Sequence, residues 1–310
     1  EVSESLPIVG HERPIKVLLR AMAAGRTAHA YLFWGPDGCG KERVARLAAQ
    51  LLLCRDGEAL KRGAPCGHCD ACAKMKGEGH PDLHLLSPGD KAISVEEVRR
   101  LQETLSFQSF ERGRKIAIIR DSFRMSREGA NALLKTVEEP PPETHLFLLA
   151  HHRSQLLPTL VSRCQPLRFD PLSEGEVEEV LLSKGVEAAE ANMLASLSGG
   201  SVAMALGHDM ESLLEARDEA ERVAKSLAEM SPAERLELSE RWSKDKESLP
   251  LRLDCLERSL RSRQADDLFA LDTMGRLFTV RALIERNVNL QLALDALFLL
   301  EDEGGWEEIV

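Results

Sequence analysis

Nowhere in the 310 residues does an uninterrupted apolar run approach ~18 residues, so no membrane-spanning helix is expected. A basic excess is missing too. The formal net charge is −11, whereas a free-standing nucleic-acid binder carries a basic face. The charge is unevenly spread: residues 211–310 hold 23 acidic and 14 basic side chains, which leaves the preceding residues near neutrality. Any nucleic-acid contact must then be local or shared with other subunits, and the acidic stretch reads as a solvated helical surface. The opening "EVSESLPIVGHERP" is polar and carries no secretory leader pattern. Internal repeats and low-complexity tracts are absent. These absences predict a soluble, cytoplasmic protein. The length predicts two or three domains, and the 43% apolar composition a substantial core.

Elements can be placed from periodicity and punctuation. Residues 11–25 read as an amphipathic helix closed by Gly25, and "HAYLFW" (29–34) as a buried strand ending in Gly-Pro. "KERVARLAAQLLLC" follows as a helix. Residues 54–80 carry cysteines and glycines but no period. "DLHLLS" (82–87), "KIAIIRD" (115–121) and "HLFLLA" (145–150) are further strand candidates. Between them lie a helix opened by the capping box Ser94/Glu97 and a helix at 127–139 stopped by Pro140, Pro141 and Pro142. Apolar strands alternating with helices predict an α/β fold with a parallel sheet covered on both faces. After "PLRFD" (166–170) the pattern becomes wholly helical, with starts at Ser173/Glu176 and Ser231/Pro232/Glu234 and a break at Gly199-Gly200.

"GPDGCGKER" (35–43) holds most of a phosphate-binding loop. Gly35, Gly40 and Lys41 stand at the spacing of G-x-x-x-x-G-K-[ST], with Gly38 between them, but Glu42 replaces the Ser or Thr. The glycines let backbone N–H groups turn onto phosphates, the lysine reaches the β- and γ-phosphates, and the hydroxyl ligates Mg²⁺. A carboxylate at that position would repel phosphates and does not replace the hydroxyl on the metal. The loop is expected to keep its shape, while Glu42 weighs against nucleotide binding. A hydrolysing site also places an Asp, often followed by Glu, after an apolar strand. In "IAIIRDS" Arg120 takes the Asp position and Asp121 the Glu position; a shift of one residue leaves Ser122 in the second place. Either alignment lacks the acidic pair. These read as two independent losses at one metal site, so hydrolysis in cis is not expected.

Of seven cysteines, Cys54, Cys66, Cys69 and Cys72 cluster as C-x11-C-x2-C-x2-C, while Cys39, Cys164 and Cys255 are scattered. Four soft thiolates suit tetrahedral Zn²⁺, and four protein ligands make a closed, structural site. His68 and His80 are the nearby alternates. The tripeptide "SRC" (162–164) reads by itself as a surface arginine after a helix.

Taken together, "IVGHERPIKVLLRAMAAGRTAHAYLFWGPDGCGK", the four-cysteine insert, "ANALLKTVEEPPPETHLFLLA" and "LVSRCQPLRF" resemble bacterial DNA polymerase III clamp-loader subunits, over most of residues 7–207. The resemblance implies an AAA+ nucleotide-fold domain (1–168, with the zinc insert at 54–72), a helical lid (169–208) and a helical collar (209–310) that holds a ring together. It implies a hetero-pentamer with gamma/tau and delta subunits, acting on the sliding clamp and primed DNA. The family contains an ATPase, gamma/tau, and a subunit of the delta-prime type that lacks a working ATP site. Here Ala203 stands where the lid's sensor arginine follows "GS", and His151 and His152 stand where the ATPase has threonine. With Glu42 and Arg120, these departures favour the delta-prime type over an active gamma/tau-like ATPase. Arg163 in SRC matches the family's arginine finger, which works on a neighbour's ATP.

Overall fold

The computed structural model describes residues 8–77, 79–89, 91–111, 113–263, 268–285 and 288–299. Five strands, β1 (Ala30–Trp34), β2 (Leu83–Leu86), β3 (Lys115–Ile119), β4 (Thr144–Ala150) and β5 (Gln165–Arg168), form one sheet in the order β2-β3-β4-β1-β5. Every pairing in it is parallel. Side chains alternate between its faces. Tyr31, Phe33, Ile116, Ile118, Phe147 and Leu149 pack with the helices Glu12–Ala23 and Lys41–Leu53. Ala30, Leu32, Ala117, Ile119, Leu146 and Leu148 pack with the helices Val95–Ser106 and Arg127–Glu138. Burial on both faces is why these strands read as continuous apolar runs. Each fully buried Leu, Ile or Phe contributes roughly 1.5–3 kcal/mol, so the sheet is a stiff base for the loops at its carboxyl edge.

Two details differ from the sequence pattern. β5 is a strand that the pattern leaves unmarked: it has four residues, only Leu167 is buried, and it contains Pro166. An edge strand tolerates proline and needs little apolar signal. Residues 54–80, which have no period, contain the helices Ala59–Arg62 and Asp70–Lys76, each too short to print one.

The helix starts follow their capping boxes. Ser94/Glu97, Ser173/Glu176 and Ser231/Glu234 each close the reciprocal pair of side chain to backbone bonds, worth about 1 kcal/mol apiece.

The chain divides into two compact units. One comprises residues up to Ala195 with Gly200–Ala203; the other comprises Ser196–Gly199 with residues from Met204 onward. The first holds the sheet. Among its described residues the second is helical: Met210–Ser226 packs on Leu249–Arg263 and Pro232–Lys244 on Leu290–Leu299, with Leu268–Glu285 beside them. Trp242 is fully buried there, edge-on to Phe298, and its Nε1 donates to Glu219 at 3.1 Å. No helix among the described residues is long and apolar enough to cross a membrane.

Candidate functional site

The phosphate-binding loop leaves the carboxyl end of β1, between β4 and β5, where open parallel sheets bind their ligands. Gly35 N donates to Ala150 O at 3.2 Å, and the helix Lys41–Leu53 starts at once from Gly40, with no side-chain cap. Gly38 (φ 69°) and Gly40 (φ 104°) hold left-handed conformations, which glycine adopts without strain. Strand, glycine loop and helix are therefore in place, as the spacing predicts.

Several protein groups contact the loop. Lys41 is 7% exposed, and its Nζ donates to Gly35 O at 2.8 Å and Pro36 O at 2.6 Å. Burial pulls the Lys41 pKa below the usual lysine range, while Cys39, Asp37 and Asp121 oppose that fall. Val202 N donates to Gly38 O at 3.0 Å. A Cβ on Gly38 would collide with the Ser201 hydroxyl and the Ala203 methyl, and one on Gly35 with the carbonyl of Phe169. His11 Nε2 lies 2.6 Å from Cys39 O. The ammonium that a phosphate would need is bonded to its own loop, and the segment Gly200–Ala203 lies against the glycines.

The positions that would hold a divalent metal bind each other. Glu42 Oε2 is 2.9 Å from Arg120 Nε, and its Oε1 is 2.9 Å from Arg46 Nε. The carboxylate therefore belongs to an ion-paired cluster, and the two substitutions read as independent in the sequence form one contact. Glu42 also sits in the first turn of its helix, where the positive end of the helix dipole favours an anion. Asp121 has φ 43°. Burial raises its pKa, helped by Asp37 and opposed by Arg120 and Lys41. His151 Nε2 is 3.8 Å from both Asp37 and Asp121, and its ring rests on Phe123, with 4.7 Å between centroids. Ser122 donates to Leu149 O at 2.8 Å, so it is engaged with the sheet.

Arg163 follows the helix Pro158–Val161. Its Nε is 2.6 Å from Glu138 Oε1, and its Nη1 donates to Thr159 O at 2.9 Å. The side chain is 40% exposed. Cys164 beside it is buried, and burial pushes its thiol up to about 12.

Sulfurs of Cys54, Cys66, Cys69 and Cys72 lie within 4.8 Å of one another, and none forms a disulfide. Cys54 and Cys72 are 3.7 Å apart at sulfur, Cys66 and Cys72 3.9 Å. Four sulfurs at ~2.3 Å from a tetrahedral zinc stand ~3.8 Å apart, so the donor set fits that ion. Backbone N–H groups of Cys66, Cys69 and Cys72 point at the sulfurs of Cys54, Cys66 and Cys69 at 3.4, 3.4 and 3.5 Å, the arrangement that stabilises thiolates. Burial works to raise the Cys69 pKa, but hydrogen bonds from the N–H groups of Arg55 and Cys72 and with the Cys66 and Cys72 thiols together outweigh it and bring it to about 6; burial pushes Cys72 up to about 12. His68 is exposed with Nδ1 against Cys66 O, and His80 is buried against Asp82 N; neither belongs to the sulfur cluster.

Residues 10–173 match the family model described as DNA polymerase III, delta subunit. The chain belongs to this family. Among curated proteins, it is 36% identical to DNA polymerase III subunit delta' of Bacillus subtilis over 60% of this chain and 55% of that one. It is 35% identical to the delta' subunit of Escherichia coli K12, over 61% and 57%. It is 33% identical to the tau/gamma subunit of Haemophilus influenzae, over 64% of this chain and 31% of that one. The chain spans a little over half the length of these delta' relatives. A delta-family chain with a five-stranded parallel sheet and a helical C-terminal part agrees with the AAA+ architecture that the resemblance implies.

Sequence reading missed three partners of this site. Glu138 holds Arg163. Glu111 joins the cysteine insert to the sheet: it pairs with Arg55 at 2.7 Å and with Lys74. Asp82, just before β2, accepts N–H bonds from Phe110 at 2.8 Å and Glu111 at 3.0 Å. All are contacts between residues distant in sequence, and no local pattern marks them. The one legible signal was Glu138-Glu139 at a helix C-terminus, where acidic residues are unfavourable.

Proposed function

We propose that this chain is a non-hydrolysing subunit of the bacterial replicative clamp loader that helps place the sliding clamp on primed DNA. The observation that carries the reading is the ion pair between Glu42 and Arg120, because it joins the two positions at which a hydrolysing site keeps its metal ligands. Lys41 bonded to the loop's own carbonyls supports the same conclusion. The delta' names of the relatives support the clamp-loader role.

In this reading, residues 1–168, 169–208 and 209–310 serve as nucleotide-fold domain, lid and collar. The partners are gamma/tau and delta subunits in a hetero-pentamer, and the compartment is the cytoplasm. Arg163 acts in trans: a guanidinium at a subunit boundary stabilises the charge that develops on a transferred γ-phosphate. Cys54, Cys66, Cys69 and Cys72 hold a structural zinc ion, which, bound, ties the insert together without chemistry of its own.

The test is reconstitution of the complex with Arg163→Ala. A clamp- and DNA-stimulated ATPase that falls while the isolated chain shows no turnover supports the reading. Turnover by the isolated chain that disappears in Lys41→Ala would show an active gamma/tau-like subunit instead.

A further inference from the structure

Arg163 is not a loose side chain. Its Nε is paired with Glu138 Oε1 at 2.6 Å, and its Nη1 donates to Thr159 O at 2.9 Å and lies 3.4 Å from Ser162 Oγ. The guanidinium is thus held between two elements, by Glu138 beside Nε and by Thr159 and Ser162 at Nη1.

We propose that Glu138 is a positioning residue: its ion pair with Arg163 presets the guanidinium for the triphosphate of a neighbouring subunit. The proposal rests on the trans reading of Arg163 above.

Three further observations bear on it. Glu138 is the last residue of the helix Arg127–Glu138, and Glu139 caps it. Carboxylates at a helix C-terminus face the negative end of the dipole, so helix formation does not account for one here. Second, the pair is half-exposed, 40% for Arg163 and 45% for Glu138. An ion pair this wet adds little to folding, so what it supplies is orientation. Third, the helix under Glu138 is fixed to the sheet through Leu133 and Val137, both buried in the core, and Leu160 fixes the short helix before Arg163 in the same way. Carboxylate and guanidinium are therefore held by rigid supports. A long side chain restrained before docking loses less rotamer freedom when it meets its anion.

The experiment uses the reconstituted complex with wild type, Glu138→Ala, Glu138→Gln, Glu138→Asp, Arg163→Ala and the double variant Glu138→Ala/Arg163→Ala. Assembly by gel filtration and thermal melting check the fold of each. The readouts are kcat and KM for ATP with clamp and primed DNA. Glu138→Ala and Glu138→Gln are expected to lower kcat roughly three- to tenfold with KM unchanged, the scale of a coupled contact pair. Glu138→Asp should retain part of the rate, and the double variant should match Arg163→Ala. If Arg163→Ala lowers the rate but Glu138→Ala does not, or raises it, Glu138 does not position the finger. A double variant slower than Arg163→Ala would assign Glu138 a role apart from Arg163 and overturn the proposal equally. If Arg163→Ala itself has no effect, the trans reading fails and this inference falls with it.

Discussion

The carboxylate of Glu42 and the guanidinium of Arg120 lie 2.9 Å apart, side by side at the mouth of a nucleotide-type loop. In a hydrolysing site a hydroxyl and a carboxylate would share a divalent cation there. Here one position carries an anion and the other a cation, and the two pair with each other. Both side chains are partly exposed, 27% and 47%. A double-mutant cycle of Glu42→Ala and Arg120→Ala is expected to yield a coupling of about 0.2–1 kcal/mol. Urea unfolding measures it, and salt should reduce it. A coupling of zero would mean that the two changes are independent after all.

Lys41 Nζ is bonded to the carbonyls of Gly35 and Pro36 in its own loop. Its alanine variant leaves the buried Gly35 O and the half-buried Pro36 O without their donor, which costs about 1–3 kcal/mol, most of it at Gly35. Calorimetric titration of the wild type with ATP and Mg²⁺ should show no heat of binding. In a working loop the order of effects is reversed: alanine removes nucleotide affinity and changes stability little. A stable Lys41→Ala protein together with tight binding by wild type would refute this account.

Metal content provides a third check. Protein purified without chelator should contain about one equivalent of zinc per chain, as a closed four-thiolate site requires. Cys72→Ser should lose it, and chelation should lower the melting temperature, because binding energy at such a site is folding energy. Metal-free protein with an unchanged melting temperature would remove zinc from the description.

Acid should loosen the link between insert and sheet. Hydrogen bonds from Lys74 and Arg55 draw the Glu111 pKa from 4.5 down to about 2. A depressed folded-state value means that the contribution is fully present above 4.5 and disappears as pH falls toward 2. Both cations are about half exposed, so after solvent screening the contribution is about 1 kcal/mol or less. Glu111→Gln is expected to lower stability near neutrality by that amount and to flatten the acid limb of a stability–pH curve. An acid limb as steep as that of wild type would assign the effect to other carboxylates.

Much of this molecule could be read in its residues, for identifiable reasons. The strands at 30–34, 115–119 and 144–150 are buried on both faces, so their apolar runs are continuous. Ser94, Ser173 and Ser231 announce helices because a capping box is a local, three-residue event. β5 escaped because an edge strand with a proline needs no such signal. The cysteine spacing marked four thiols whose sulfurs the structure brings within 4.8 Å of one another, because short x2 spacings keep neighbouring sulfurs on one knuckle.

The sequence by itself determined which groups are available: a loop with glycines and Lys41 but no hydroxyl, an arginine where an aspartate would serve, four thiols, and Arg163 after a short helix. Only the tertiary structure decided what they do to one another. Glu42 and Arg120 come from different strand–helix units and meet because β1 and β3 both flank β4, leaving their carboxyl ends on one edge. Residues 201–203 reach Gly38 through a return of the chain, and Glu138 reaches Arg163 across a strand and two turns. Local periodicity records which face of an element is buried. It carries no record of which charges the packing of those faces will bring within 3 Å.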